Sequence, residues 1–82
     1  MKLVELTETL VKSVASDPDS VSVKAFDTSP DEELVIQVIV AEDDLGRVIG
    51  KQGRIANAIR TLVQASSYLD ENRRINIKID AV

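Results

Sequence analysis

The chain has 82 residues and a formal net charge of −4, because 10 Lys and Arg side chains face 14 Asp and Glu. This length suits one domain spanning residues 1–82. Taken as a total, the acidic balance argues against a nucleic-acid partner, because proteins that bind polyanions usually have an excess of Lys and Arg. Because the chain contains neither Cys nor His, thiolate chemistry and the commonest general base are excluded, and we expect no metal or cofactor.

The amino-terminal segment has the pattern of an amphipathic helix over residues 2–15. Its large apolar side chains recur at intervals of three and four residues: Leu3, Leu6, Leu10 and Val14. The helix should end at residues 17–19, because Pro18 disfavours helical geometry in the residue before it.

Two strands are predicted next. Residues 21–25 alternate apolar and polar, which is typical of a half-buried strand, and residues 27–31 form a turn. Residues 34–41 are apolar at every position except Gln37. This second strand is therefore either central and covered on both faces, or it carries, through Val35 and Ile39, part of a contact with another chain.

The acidic residues 42–44 indicate the start of a short helix over residues 45–49, with a carboxylate available as N-cap. A longer helix is predicted from residue 54 to about residue 69. Its helical spacing predicts a core face made of Ile55, Ala58, Ile59, Leu62, Val63, Ser66 and Leu69.

The last strand, residues 75–80, alternates with its three isoleucines facing inward. The resulting order, α-β-β-α-α-β, predicts an α+β fold with a three-stranded sheet and its helices gathered on one face. Acids occur close to the amino terminus, and no apolar run approaches the ~20 residues of a membrane helix. We therefore expect a cytoplasmic domain without membrane insertion.

All three glycines lie within eight residues, at Gly46, Gly50 and Gly53. Their spacing fits neither a Walker phosphate loop nor a dinucleotide fingerprint. What remains is the turn Gly50-Lys51-Gln52-Gly53 between two helices, where backbone N–H groups and the helix dipole favour an anion. From these four residues alone, a plain helix–helix turn with a glycine C-cap is the alternative.

The distribution of charge favours an anion-binding turn. Residues 45–69 contain four basic side chains and no acid, whereas the rest of the chain has 6 basic and 14 acidic residues, or −8. The four cations are Arg47, Lys51, Arg54 and Arg60. A positive surface confined to the glycine turn is what phosphate binding requires.

The run from Val48 to Ile59, VIGKQGRIANAI, resembles the signature of KH domains. With the order of elements, the chain resembles over essentially its whole length the type II, bacterial form of that fold, as found in the KhpA-like family of small RNA-binding proteins. The resemblance implies binding of single-stranded RNA. In KH domains the Gly-x-x-Gly loop clamps the backbone of about four nucleotides, while an apolar groove receives the bases.

Carried over by position, the resemblance implies that eight residues contact RNA. The loop would hold phosphates, the flanking arginines would add charge, and the two apolar residues before the loop would line the groove. These eight are Arg47, Val48, Ile49, Gly50, Lys51, Gln52, Gly53 and Arg54. Core packing is the alternative role for Val48, Ile49, Ile55 and Ile59.

The resemblance also implies partners: a homodimer, and a heteromer with a larger KH-bearing protein of the KhpB (Jag) type. It implies an RNA chaperone or post-transcriptional regulator linked to cell-envelope homeostasis and cell shape. The surplus apolar residues Val35, Ile39 and Val63 are compatible with a partner surface.

Two other classes of function compete with RNA binding. The first is a protein-interaction or dimerisation module of a ribonucleoprotein with weak RNA binding, which the acidic residues 27–33 favour. The second is an enzyme. The adjacent carboxylates at residues 32–33 and 43–44 have no nucleophile–base pair or metal-ligand cluster beside them, so we do not expect catalysis.

Overall fold

The helices and strands follow the predicted order, and each end lies within one residue of its predicted position. The computed structural model describes residues 1–27 and 32–82, so residues 28–31 of the predicted turn lie outside the described residues. The elements are α1 (Lys2–Val14), β1 (Ser22–Phe26), β2 (Leu34–Val40), α2 (Leu45–Ile49), α3 (Arg54–Asp70) and β3 (Ile75–Ala81). Short 3₁₀ turns occupy Pro18–Ser20, Glu42–Asp44 and Lys51–Gly53.

The three strands form one mixed sheet in the order β1-β2-β3. Strand β1 pairs antiparallel with β2, placing Val23 opposite Val38, and β2 pairs parallel with β3, placing Ile36 opposite Ile77. Because a parallel pair needs a crossover connection, helices α2 and α3 together form that crossover. Strand β2 is central, as one of the two alternatives held, but it is not covered on both faces, because Val35, Gln37 and Ile39 are only partly buried.

The helices cover one face of the sheet, as predicted. Alternate residues of β2 are fully buried under the helices: Leu34, Ile36, Val38 and Val40. They form one core cluster with Leu3 and Val11 of α1, Val48 of α2, and Ile59 and Val63 of α3. On the opposite face of β2, Val35 and Ile39 remain partly exposed. Val63 is fully buried, so its assignment to a partner surface is wrong.

The inward face of α3 is rotated relative to the predicted face. Its buried residues are Ala56, Ile59, Val63 and Ser67. Three predicted core residues point outward, since Ala58 is exposed and Leu62 and Leu69 keep 54% and 87% of their surface accessible. Ser67 is buried because its hydroxyl donates a 2.6 Å hydrogen bond to the carbonyl of Arg73. Apolar spacing alone therefore gave the wrong phase for this helix.

The acidic turn before α2 binds the end of α1 and does not cap α2. Asp44 is 1% exposed and makes no side-chain cap hydrogen bond to its own helix. Its Oδ1 accepts from the backbone N–H of Ser16 at 3.0 Å and from the Ser16 hydroxyl at 2.6 Å. Its Oδ2 accepts from the N–H of Asp17 at 2.9 Å. The predicted N-cap role is therefore wrong, and this carboxylate instead fixes α2 against α1.

Candidate nucleic-acid interface

The turn between α2 and α3 has an unusual backbone at three of its four residues. Gly50 and Gly53 have φ angles of 77° and 75°, and Gln52 has a φ of 58°. The two glycines suit this left-handed geometry because they carry no Cβ. The turn is closed by a hydrogen bond from the N–H of Gly53 to the carbonyl of Gly50, at 3.1 Å.

The two loop glycines differ in their surroundings. A Cβ on Gly50 would lie 2.7 Å from Cγ1 and 2.9 Å from the backbone nitrogen of Ile55, whose side chain packs on the core. A Cβ on Gly53 would meet only Nδ2 of Asn57, at an ordinary 3.8 Å. Gly50 is therefore required by internal packing as well as by conformation, whereas the space beside Gly53 stays accessible to another molecule.

Three of the four cations lie in the loop or directly beside it. The side chains of Arg47, Lys51 and Arg54 are all exposed. Arg47 Nε lies 3.8 Å from Asp44 Oδ1, and Arg54 Nη2 lies 3.5 Å from Gln52 Oε1. Arg60 is different, because its Nε donates to the carbonyl of Ile77 at 3.3 Å and it therefore lies at the edge of β3. The positive charge is thus concentrated around the loop, with an extension along α3.

Helix α3 starts in a way that favours a bound anion. It begins at Arg54 after the left-handed Gly53, and its first turn contains no acidic residue and no side-chain cap. The N-terminus of a helix carries partial positive charge, which an Asp or Glu in the first turn commonly balances. Here Arg54 adds to that charge, so the turn has positive potential with nothing of its own to neutralise it.

Val48 and Ile49, the two apolar residues predicted to line a groove, differ in their exposure. Val48 is completely buried in the core, so it has no surface with which to touch a base. Ile49 is partly exposed directly before the loop, and Ile55 is partly buried against the core. Core packing, the alternative role, is therefore correct for Val48, and also for Ile59, which is 4% exposed.

Sequence analysis did not predict an open cleft of about 500 Å³ between α3 and β3. It is lined by Arg60, Thr61, Gln64, Ala65 and Tyr68 of α3 and by residues 75–77 of β3. The signal in the sequence is the spacing of these α3 residues by three and four, which marks one helix face. Most of these α3 residues are of polar types although they line the cleft largely with apolar atoms, so a search for stripes of apolar residues does not find this face.

The mixed sheet and the helix–Gly-x-x-Gly–helix crossover define a type II KH domain, which confirms the predicted fold. The model of the KhpA/KhpB KH-domain family matches residues 4–79. The chain therefore belongs to the KhpA/KhpB KH-domain family.

Three relatives carry the name RNA-binding protein KhpA. The protein from Clostridium acetobutylicum is 41% identical over 92% of this chain and 96% of its own length. The protein from Caldanaerobacter subterraneus subsp. tengcongensis is 44% identical over the same shares. The protein from Listeria monocytogenes serovar 1/2a is 45% identical over 89% of this chain and 95% of its own. Membership of this family of binding proteins confirms that the chain is not an enzyme.

Two solved structures of Era share the fold. One is Era in complex with MgGDPNP and nucleotides 1506–1542 of 16S ribosomal RNA, with a TM-score of 0.71 and 22% identity over 96% of this chain. The other is Era from Aquifex aeolicus bound to GDP and AlF4−, with a TM-score of 0.70 and 21% identity over 98% of this chain. The chain spans only 29% and 30% of these Era chains, and the likeness concerns the fold alone.

Within residues 1–27 and 32–82, no helix combines the length and the apolar character needed to cross a bilayer. The same part of the chain contains no group of three or more carboxylates arranged to hold a metal ion.

Proposed function

We propose that this chain binds single-stranded RNA through the loop Gly50-Lys51-Gln52-Gly53. The observation that carries the proposal is the conjunction of a positive-φ glycine loop with an acid-free, basic helix start in a chain that is otherwise acidic. The names of the KhpA relatives, which describe RNA-binding proteins, support the same function.

In this proposal the loop binds the sugar-phosphate backbone. The open side of Gly53 lets a phosphate approach the start of α3, where the helix dipole and Arg54 attract it. Lys51 and Arg47 contribute mobile charges on either side. Neutralising about three phosphates predicts that log affinity falls with log salt concentration with a slope near −2.

The bases in turn contact aliphatic surface. Ile49 lies beside the loop and is partly exposed, so it can touch a base while Val48 supports it from the core. A small aliphatic contact of this kind discriminates weakly between bases, since it offers few hydrogen bonds. We therefore propose that one domain has low sequence selectivity. We propose further that the protein acts in the cytoplasm as an RNA chaperone or post-transcriptional regulator, with the KhpA-like link to cell-envelope homeostasis and cell shape.

We also propose a homodimer, and a heteromer with a larger KH-bearing protein of the KhpB type, because a second RNA site raises avidity. Exposed apolar side chains support such contacts, with Leu62 at 54%, Leu69 at 87% and Phe26 at 50% exposure. These side chains, together with the negative charge of the chain outside residues 45–69, also favour the second candidate function, an interaction module with weak RNA binding. Sedimentation at micromolar concentration tests the dimer, and a single species of 9.0 kDa would contradict it.

The loop proposal is tested with the double variant Lys51→Asp, Gln52→Asp. We expect it to abolish binding of a short single-stranded RNA in fluorescence anisotropy, because two carboxylates in the loop repel phosphates. The circular dichroism spectrum should not change, since both side chains are exposed.

The matched control is Ser22→Asp, Lys24→Asp, which makes the same change of charge at exposed positions of β1. We expect it to keep most of the affinity at 0.15 M salt. Binding by the loop variant at the strength of the parent would rule out the loop, and equal losses in both variants would show that only total charge matters.

A further inference from the structure

Asn57 places a neutral polar group beside the open side of Gly53. It lies four residues, or about 6 Å of helix rise, beyond that glycine. Side chains of a helix lean toward its N-terminus, so the amide of Asn57 lies over the first turn of α3. Its Nδ2 is 3.8 Å from the place that a Cβ of Gly53 would take. A nucleic-acid backbone that approaches this glycine therefore meets the Asn57 amide.

Arg60 fixes the orientation of that amide. Its Nε donates to the carbonyl of Ile77 and its Nη1 donates to Oδ1 of Asn57, both at 3.3 Å. A guanidinium carries only donors, so the amide atom that faces it must be the oxygen. The NH₂ group of Asn57 is therefore turned toward Gly53, and Arg60 holds it there from the edge of β3.

The amide keeps hydrogen-bonding capacity that the chain does not use. Within residues 1–27 and 32–82, Nδ2 of Asn57 donates to no acceptor and Oδ1 accepts from Arg60 alone. The side chain is exposed, and a carbonyl oxygen accepts two hydrogen bonds, so a donor and a lone pair both remain. A hydroxyl can use both because it accepts and donates, whereas a phosphate oxygen only accepts.

The charges around Asn57 leave this position to an uncharged group. Phosphates are attracted to Lys51, to Arg54 and to the partial positive charge at the start of α3. Asn57 lies one helical turn away from these groups, where the sugar that joins two phosphates passes. In RNA that sugar carries a 2′-hydroxyl, the group by which a protein distinguishes RNA from DNA.

We propose that Asn57 binds a ribose 2′-hydroxyl of the strand held at the loop and so makes the domain prefer RNA to DNA. Nδ2 donates to the hydroxyl oxygen, and Oδ1 accepts the hydroxyl proton. Arg60 is a positioning residue, because it acts by orienting the amide. This inference rests on the proposed function, since the loop supplies the phosphate contacts that hold the strand.

The test compares three labelled strands of six nucleotides in fluorescence anisotropy: uridine RNA, deoxyuridine DNA and 2′-fluorouridine RNA. They share bases and phosphates, so differences in affinity report on the sugar. We expect the parent to bind the RNA about fivefold more tightly than the DNA, which is the size of one neutral hydrogen bond. The 2′-fluoro strand keeps the RNA-like sugar shape without the hydroxyl, and it should bind like DNA.

Two variants separate the contact from its support. Asn57→Ala should bind the RNA about fivefold more weakly and the DNA like the parent, with an unchanged salt slope because no phosphate contact is lost. Its circular dichroism spectrum should be that of the parent, since Ala favours a helix. Arg60→Lys keeps the charge but not the planar fork that reaches both Ile77 and Asn57. It should reduce the preference for RNA by about half or more; an unchanged preference would overturn the positioning role of Arg60.

The matched control is Asn76→Ala, the same substitution on the sheet face that the helices leave open, where Asn76 is paired with Val35. It should bind all three strands like the parent. Equal affinity of the parent for RNA and DNA, RNA-like binding of the 2′-fluoro strand, or a preference for RNA that survives in Asn57→Ala would each overturn the Asn57 proposal while loop binding stands. Equal losses for RNA and DNA in Asn57→Ala would reveal a phosphate contact and overturn it as well. Failure of the parent to bind any of the strands would refute the loop itself.

Discussion

Two short turns lead into α2 and α3, and they differ in what they bind. Both are three-residue 3₁₀ turns that pass directly into an α-helix, one at Glu42–Asp44 and the other at Lys51–Gly53. The first contains three acidic residues and the second contains none. The second turn alone has positive φ angles, at Gln52 and Gly53, and the charge at the start of the two helices has opposite sign.

The acidic turn is satisfied within the protein. The hydroxyl of Ser16, together with the N–H groups of Asp17 and Ser16, stabilises the Asp44 carboxylate and lowers its pKa below the ordinary value of 3.8. The basic turn has no equivalent internal partner among the described residues, because the first turn of α3 holds no acid and no side-chain cap. A helix start that the chain itself neutralises is structural, and one that it leaves positive is available to a phosphate.

The largest effect is expected from Gly50→Ala, which changes the shape of the basic turn. The added methyl group would lie 2.9 Å from the backbone nitrogen of Ile55, and the φ of 77° is strained for any residue with a Cβ. We expect the free energy of unfolding to fall by about 3 kcal/mol in urea denaturation, with loss of RNA binding.

Gly46→Ala is the matched control, because no atom lies within 4 Å of the place its Cβ would take. Because residue 46 lies inside α2, Gly46→Ala should raise the free energy of unfolding, by no more than about 1 kcal/mol. If Gly50→Ala unfolds at the same urea concentration as Gly46→Ala, the close approach of Gly50 to Ile55 is not a constraint on the turn.

The next effect concerns the acidic turn and stability alone. Asp44→Asn places an NH₂ group against an N–H donor of the Ser16–Asp17 segment, so one partly buried donor loses its acceptor. We expect the melting temperature to fall by roughly 5–10 °C. Binding of RNA at 25 °C should be retained, since the loop does not change. Loss of RNA binding in a variant that is still folded would show that the two turns are not independent.

The lowered pKa of Asp44 also predicts how stability depends on pH. A carboxyl whose pKa is lower in the folded state contributes stability above its ordinary value of 3.8, and that contribution is lost as the pH falls through the folded pKa. Asp27 adds a similar dependence, because the Arg73 guanidinium that hydrogen-bonds to it lowers its pKa. In thermal melts between pH 7 and 2, the melting temperature of Asp44→Asn should therefore fall less at acid pH than that of the parent. It should still fall, because Asp27 keeps its own dependence on pH.

The comparison also shows what the sequence could predict. The order and bounds of the elements follow from local signals, such as the period of α1, the alternation of β3 and the proline after α1. The glycine loop was predicted because its residues are consecutive. Its φ of 58° at Gln52 was not, because a non-glycine residue gives no signal that it adopts that conformation.

Features that depend on distant residues could not be predicted. Asp44 binds Ser16 across 28 residues of sequence, so nothing local distinguishes it from an N-cap. The tertiary packing of α3 places Ser67 inside and Leu62 outside, which reverses their hydrophobic ranking. The cleft at Tyr68 exists only because α3 and β3 are neighbours in the fold.

The smallest expected effect distinguishes a direct contact between Lys51 and a phosphate from long-range electrostatic attraction of the RNA. Lys51→Ala removes one charge from the basic turn, and Asp43→Asn removes one from the acidic turn; both side chains are exposed. If Lys51 contacts a phosphate, its loss reduces the salt slope of RNA binding by about 0.7, because one fewer counterion is released. Asp43→Asn should leave the slope unchanged and raise affinity only at low salt, since its repulsion is screened within about 10 Å at 0.1 M. Neither change should alter stability by more than about 0.5 kcal/mol. Equal slopes in Lys51→Ala and the parent would mean that Lys51 acts on RNA only from a distance, and that the phosphate contacts belong to Arg47, Arg54 and the start of α3.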